Sequence, residues 1–382
     1  MTELIAPKDY SLELIRSADE LASMETAWHA LLCDYAPPIP TQSHEYFSAY
    51  RSAFAIDDSQ FNLVLIKQDD KLAAIIPLRV VFRRAMGVRL RVLEFVNLPM
   101  PIRDVIVAKD IELPKLLETL RMKLGTEHGL PWDYLHLRDV PAASKLIIAA
   151  NPAASRLVHR ISGQSNAINV SHGNHLTQVM SSNTRYNLRR SKKKLSKLGN
   201  VAMTTVTSMP GLNEAFQAFI DTEAAGWKSV SGGKNAIKLH PDQIDFYRSL
   251  MSRKSTSQGC HIHLLTLDDV PIASDYCIVE GDTVFSLKHG YDEAYSSAAP
   301  GNLLREYTIE YYEASPQIHT LDLVSNWSWH ERWRPTSRTI HDVKIFNNTP
   351  VARLLYLGLR LKNALQERAE VDSDQSSVPT QG

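Results

Sequence analysis

The sequence predicts an α+β protein of two similar units, each a mixed sheet flanked by helices. Three observations point there. The chain has 382 residues, about twice the length of a common domain. Runs with strand-type and helix-type apolar spacing occur in both halves. One hairpin pattern, strand, Asp-Asp turn, strand, occurs at 63–78 and again at 262–278.

In chain order, "FNLVLIKQDDKLAAIIPLRVVF" (61–82) is the first hairpin, and "RLRVLEFVNL" (89–98) and "RDVIVAK" (103–109) are further strands. "LPKLLETLRMKLGTEHG" (113–129) has helical apolar spacing and stops near Gly125 to Gly129; "DYLHLRDV" (133–140) returns to strand. "SSNTRYNLRRSKKKLSKLG" (181–199) is a basic helix starting at Ser182 or Asn183 and stopping at Gly199. Helices follow at 209–228 and 240–254, and then three strands with Asp-Asp and Gly-Asp turns over 262–292. A Ser/Ala-rich loop with Pro300-Gly301 leads into a helix over 302–313. A strand at 318–324, an aromatic-rich segment at 325–335, a strand at 338–348 and a helix at 350–370 close the chain, with Pro350 suited to the helix's first turn. The expected units are 1–160 and 161–370, with 371–382 a disordered polar tail.

Composition narrows the function. Lys+Arg and Asp+Glu are both 42, so net charge gives no sign of a nucleic-acid partner, and any basic role is local. Three scattered cysteines do not make a disulfide framework and suggest a reducing compartment. The N-terminus has no apolar core of a signal peptide, and no run reaches the roughly 18–20 apolar residues of a membrane span, so a cytoplasmic protein is expected.

Two features could hold an anion. The helix after Pro300-Gly301 offers unpaired N–H groups of Gly301, Asn302, Leu303 and Leu304 at its positive end. The basic helix, with Arg185, Arg189, Arg190, Lys192, Lys193, Lys194 and Lys197, could contact phosphate, although a solvated face is the ordinary reading. His261 and His263 share one strand face without a second ligand pair at zinc spacing, so no metal is expected.

Taken in order, "RYNLRRSKKKLSKLG" (185–199), "EAAGWK" (223–228), "DFY" (245–247), "PIA" (271–273), "YD" and "PG" (291–301), and "LDL" with "HERW" (321–333) resemble GNAT-superfamily N-acyltransferases. More narrowly they resemble the CelD, cellulose-biosynthesis-type GNAT-like acetyltransferases, and "FNLVLIKQDDKLAAIIPL" resembles that group's N-terminal part. The resemblance covers about residues 40–350 and implies two GNAT-like domains. It implies acyl transfer, acetyl in the first instance, from acetyl-CoA or another acyl-CoA to an amine on a sugar, amino acid or envelope precursor. Such a transfer must deprotonate the amine, stabilise the carbonyl oxygen and accommodate the thiolate.

The resemblance puts Glu223, Asp292, Asp322 and His330 forward as bases, and Tyr291 and Tyr295 as proton donors. Lys288, Gly301, Asn302 and Leu303 would meet the cofactor; Trp227, Lys228, Asp322, Arg332 and Trp333 would meet the acceptor. The usual GNAT phosphate loop has more glycines and a Gln or Arg; here Gly301 stands alone. His330 stands where the group often has Lys. Plain structural readings compete: Asp292 as a turn cap, Glu223 as a solvent-facing helix residue, and at least one of Trp327, Trp329 and Trp333 as core. Two other functions stay open: a Fem-like ligase using aminoacyl-tRNA, and a catalytically inactive GNAT-like scaffold binding a protein partner. Oligomeric state is left open.

Overall fold

The computed structural model describes residues 10–33, 39–54, 60–85, 87–96, 98–149, 156–171, 178–226 and 235–376. Both Asp-Asp pairs turn hairpins by the same means. Asp69 and Asp70 have φ of 50° and 62°; Asp268 and Asp269 have 48° and 65°. Two successive positive φ values mark the type I′ turn, whose twist suits the strands on either side, and Asp tolerates them better than most residues.

The first hairpin joins β2 (Asn62–Gln68) to β3 (Lys71–Ala85); the second joins β9 (Cys260–Leu267) to β10 (Val270–Glu280). Each sits in the same setting. β1 (Tyr10–Ile15), β2, β3 and β4 (Val88–Phe95) run antiparallel in order, and β6 (Tyr134–Pro141) then adds parallel to β4. In the second half β8 (Val201–Val206), β9, β10 and β11 (Thr283–Tyr291) do the same, and β12 (Thr320–Asp322) adds parallel to β11. The short β5 (Ile106–Val107) pairs with β3.

The halves are completed by exchange. β7 (Leu157–Asn169), at the end of the first half, pairs with β12 of the second. β13 (Thr336–Phe346), near the end of the second half, pairs with β6 of the first, and β7 and β13 pair with each other. The result is one 13-stranded sheet. The division expected after residue 160 therefore falls inside a strand that ties both halves.

Helices cover the sheet: α1 (Ala18–Ser23), α2 (Glu25–Cys33), α3 (His44–Ala53), α4 (Leu113–Lys123) and α5 (Lys145–Ile148) in the first half. In the second half lie α6 (Ser182–Leu195), α7 (Gly211–Ala224), α8 (Pro241–Ser255), α9 (Pro300–Glu313) and α10 (Pro350–Ser376). One core is shared by both halves, joining Trp28, Tyr46 and Phe47 to Phe216, Phe219, Phe246 and Tyr276. Lys254 of α8 crosses between the halves in this region, 2.7 Å from Glu280 and 3.4 Å from Glu45. A second core lies under α4, and a third under α6 and α9.

Some boundaries differ from expectation. The basic helix begins at Ser182, as expected, behind Ser181, whose hydroxyl accepts from the Thr184 amide, but it ends at Leu195 and not at Gly199. The helix of 113–129 ends at Lys123, and the strand of 103–109 shrinks to Ile106–Val107. α10 runs through Ser376, past the expected end at 370, into the stretch expected to be disordered.

Candidate active site

β11 and β12 pair over only three residues, Thr283 to Phe285 against Thr320 to Asp322. Beyond Phe285, β11 continues to Tyr291 held by β10 alone. The β10–β11 register shifts there: Tyr276 faces Lys288 and Cys277 faces Ser286, so Leu287 is the extra residue of a bulge. A bulge leaves one residue outside the ladder. The sheet thus opens where β11 carries an unpaired stretch of main chain.

Helices clamp the freed strand from both sides, through glycines. A Cβ on Gly290 would lie 2.8 Å from the Glu223 Cα of α7. A Cβ on Gly301 would lie 2.9 Å from His289 Nε2 and 3.0 Å from the Tyr291 ring. Gly301 is therefore needed for close helix–strand packing, whatever else its amide does.

Four strand and helix positions form a buried polar cluster. Asp275 and Arg305 are 0% and 1% exposed. Arg305 Nη1 lies 2.9 Å from Asp275 Oδ2, and Arg305 Nη2 donates to Ser286 Oγ at 2.9 Å. Ser286 donates in turn to Asp275 Oδ1 at 2.7 Å, closing a triangle. Burial alone would raise the Asp275 carboxyl; the Arg305 guanidinium overrides this and holds it well below the usual carboxylate range. His289, opposite Asp275 on the neighbouring strand, has Nδ1 3.7 Å from Asp275 Oδ2, and its ring stacks on Trp329 at 5.9 Å.

His330 lies next to this group and is buried, not exposed as its aromatic-flanked segment suggests. Its ring touches Trp329, and its Nδ1 is 3.4 Å from Asn166 Nδ2 of β7. Burial first, then the Arg305 charge, pushes its pKa down to about 4. It is neutral at pH 7, a weak base able to orient a group by hydrogen bonding.

The remaining candidates divide. Glu223 is buried and accepts from the Ile237 amide at 2.9 Å, which corrects the solvent-facing reading. Lys288 points to the same side: burial lowers its pKa, the Glu223 charge opposes that, and its Nζ sits 5.8 Å from the Tyr247 ring. Tyr291 keeps its proton, its pKa raised by burial and then by Glu293. Asp292 caps the 3-10 turn Glu293–Ala298 through the Ala294 amide at 2.9 Å. Asp322 is buried, bonded to Arg338 at 2.9 Å and to the Val324 amide at 2.8 Å, and burial pushes its pKa up to about 6 against Arg338. Arg332 is exposed and bonds the Trp329 carbonyl; Trp333 is core; Trp327 is exposed. Trp227 and Lys228 lie outside the described residues.

The start of α9 follows Ala299, in left-handed backbone at φ 49°, and no side chain caps it. The Asn302 and Leu303 amides both point to the Ala299 carbonyl, at 3.0 and 3.3 Å. The Leu303 side chain is core. The basic helix α6 lies alongside: Lys194 donates to the Ser297 carbonyl at 2.8 Å, and Lys192 sits over the Tyr307 ring at 5.2 Å. The uncapped helix end and the basic helix are thus one surface. His261 and His263 both bond the Tyr312 hydroxyl, at 2.9 and 2.8 Å, within the core under α9.

Asp275, Ser286, His289 and Arg305 were not singled out from sequence. Arg305 and Asp275 are 30 positions apart on different elements, and nothing local marks them as partners. The one available signal was an Arg among the uncharged residues of the inner face of helix 302–313, Leu303, Leu304, Thr308, Ile309 and Tyr312.

An opened parallel strand pair, a bulged central strand and an uncapped helix start thus meet at one place in the second half. Residues 182–330 match the family model described as an acetyltransferase (GNAT) domain. Residues 182–330 thus carry a GNAT-type acetyltransferase domain, the part of the chain that the family model covers. Among solved structures, it is similar to FemX at 10% identity, with TM-score 0.58, covering 90% of this chain and 100% of that one. It is also similar to L-PGS from Bacillus licheniformis, at 10% identity and TM-score 0.50, covering 88% and 96%. A third is a conserved protein of unknown function from Bacteroides thetaiotaomicron, at 10% identity and TM-score 0.54, covering 88% and 100%. At such identities the likeness is one of fold. Compared with curated proteins, the sequence finds no match.

Proposed function

We propose that this chain moves an acyl group, acetyl in the first instance, from acyl-CoA to an amine acceptor in the opening between β11 and β12. The observation that carries the reading is the parting of these strands after Phe285, with the bulge at Leu287 at the same point. A main-chain N–H freed there can stabilise the carbonyl oxygen as the amine adds. The pyrophosphate would rest at the uncapped start of α9, near the Gly301 amide, with α6 cations beside it. Tyr291, which holds its proton, suits protonation of the departing thiolate.

Glu223 is favoured over Asp292 as the base because it is buried against the freed strand, where the Ile237 amide orients its carboxylate, whereas Asp292 caps the turn beyond the strand. His289, backed by Asp275, and the neutral His330 line the other side of the strand and would orient the thioester. The CelD-type resemblance favours an amino sugar, amino acid or envelope precursor as acceptor. Isothermal titration with CoA and acetyl-CoA tests the reading directly: binding is expected, and its absence at millimolar ligand would reject acyl-CoA as donor.

A second reading has one observation in its favour. The likeness to FemX extends over the whole of that chain, and α6 with the turn after it presents Arg190, Lys193 and Lys197 to solvent. An aminoacyl-tRNA donor would then bind with steep salt dependence. Retention of charged tRNA at low salt, with no CoA binding, would favour this reading over the first.

A further inference from the structure

α10 carries apolar residues on two opposite faces. Ala352 and Tyr356 are buried against Phe346 of β13, with Leu355 and Leu359 packed beside them. Leu354, Leu357, Leu361 and Leu365 are 61%, 62%, 64% and 56% exposed. At ~100° per residue these four fall within about 80° of one another, on the side away from Ala352, Tyr356 and Leu359. They form a single ridge pointing out of the protein.

Charge frames that ridge. Arg353 and Arg360 project along one flank and Lys362 along the other, and all three are exposed. From Pro350 to Gln366 the helix has no acidic residue; the first is Glu367. The cationic field extends onto the sheet. Lys344 of β13 has its pKa lowered by burial first, then by Arg160, Arg138 and Lys362 with Asp342 opposing them, so three further cations and one carboxylate are its neighbours.

We propose that α10 is a membrane-surface docking helix, and that its occupant is an anionic lipid surface. An apolar ridge between rows of Arg and Lys is the arrangement of a helix lying at the headgroup level, leucines inserted and cations on anionic headgroups. A second copy fits less well. The ridge is about 16 Å long at 1.5 Å per residue and about 10 Å wide, on the order of 160 Å², far short of the ~800 Å² per partner of a standard interface. Matching two ridges would also bring Arg360 and Lys362 of both copies together. Among the described residues no helix is long and apolar enough to cross a membrane, so the contact would be peripheral.

The test is vesicle co-sedimentation of the full chain, with phosphatidylcholine alone and with phosphatidylcholine containing phosphatidylglycerol. Three cations near the surface predict partitioning on the order of a hundredfold stronger to the anionic vesicles. Leu357→Glu with Leu361→Glu should abolish binding to both. Arg353→Gln with Arg360→Gln and Lys362→Gln should reduce anionic binding to the neutral level. These side chains are exposed, so thermal unfolding should be unchanged in both variants. Wild-type protein that stays in the supernatant, or that binds both vesicles equally, overturns the proposal. So does a solution dimer that Leu361→Glu dissociates, which would assign the ridge to a second copy.

Discussion

Each half joins its parallel strand pair over only three residues, but β4 stops at Phe95, just past its pairing, whereas β11 runs on, bulged, to Tyr291, and the two places are equipped differently. In the first half β4 and β6 pair over Val92 to Glu94 and Tyr134 to His136. Glu94 there draws Arg79 at 3.3 Å and Arg83 at 2.7 Å, both partly exposed, with Arg138 at 3.8 Å. The helix after β4, α4, starts after Glu112, which pairs with Lys115 at 2.7 Å. An acid at that end opposes a phosphate. In the second half the ion pair is sealed inside, and the helix start is uncapped, has no acid in its first turn, and lies beside α6. The same topology thus yields a charged surface in one half and an enclosed site in the other.

Breaking the ion pairs should separate the two most strongly. Arg305→Met strands a buried carboxylate, and a loss of about 3–5 kcal/mol in chemical denaturation is expected. Adding Asp275→Asn should restore much of it. Arg79→Met, where the charge is partly exposed and Arg83 remains on Glu94, should cost less than about 1 kcal/mol. Equal losses at the two positions would erase the distinction between the halves.

Next comes the clamp on β11. Gly290→Ala places a methyl against the main chain of Glu223, where neither partner can yield easily, and about 1–3 kcal/mol should be lost. Gly163→Ala in β7 meets nothing within 4 Å and should leave thermal unfolding nearly unchanged.

Acid should also act on the second half. His263 and His330 are pushed from 6.5 to about 3 and about 4, by burial first. The unfolded chain therefore takes up protons below pH 6.5 that the folded chain refuses. Their contribution to stability is whole above about pH 6.5 and declines as the pH falls toward 4 and then 3. A denaturation series across this range should show that slope, and His330→Asn should flatten it.

The smallest effect concerns the cofactor. Asn302→Glu puts a negative charge in the first turn of α9. CoA binding should weaken by about 1 kcal/mol, on the order of fivefold, by titration. Glu112→Gln, just before α4, should leave CoA affinity unchanged, because that helix start lies in the other half. An equal effect from both would move the cofactor site.

Much of the second half was legible because it is local. The Asp-Asp and Gly-Asp turns announced β9 to β11, and Pro300-Gly301 announced α9, whose start remains the proposed phosphate contact. The basic run 185–199 was legible as a helix, but not its position against Ser297. Glu223 was chosen from its motif, yet its burial depends on Gly290 receiving it from another element. β7 escaped the reading altogether. Its segment "RISGQS" is polar and mostly exposed in its side chains, so alternation gives no signal, and its place comes from main-chain ladders to β12 and β13.

The sequence by itself determined the turns, the periodicities and the helix starts, because φ preference, side-chain alternation and capping act within a few residues. Only the tertiary structure decided that β7 and β13 change places between the halves. It also decided that Asp275, Ser286, His289 and Arg305 meet. Those contacts join segments far apart in the chain, and they are fixed by which buried charges and ladders can be satisfied together.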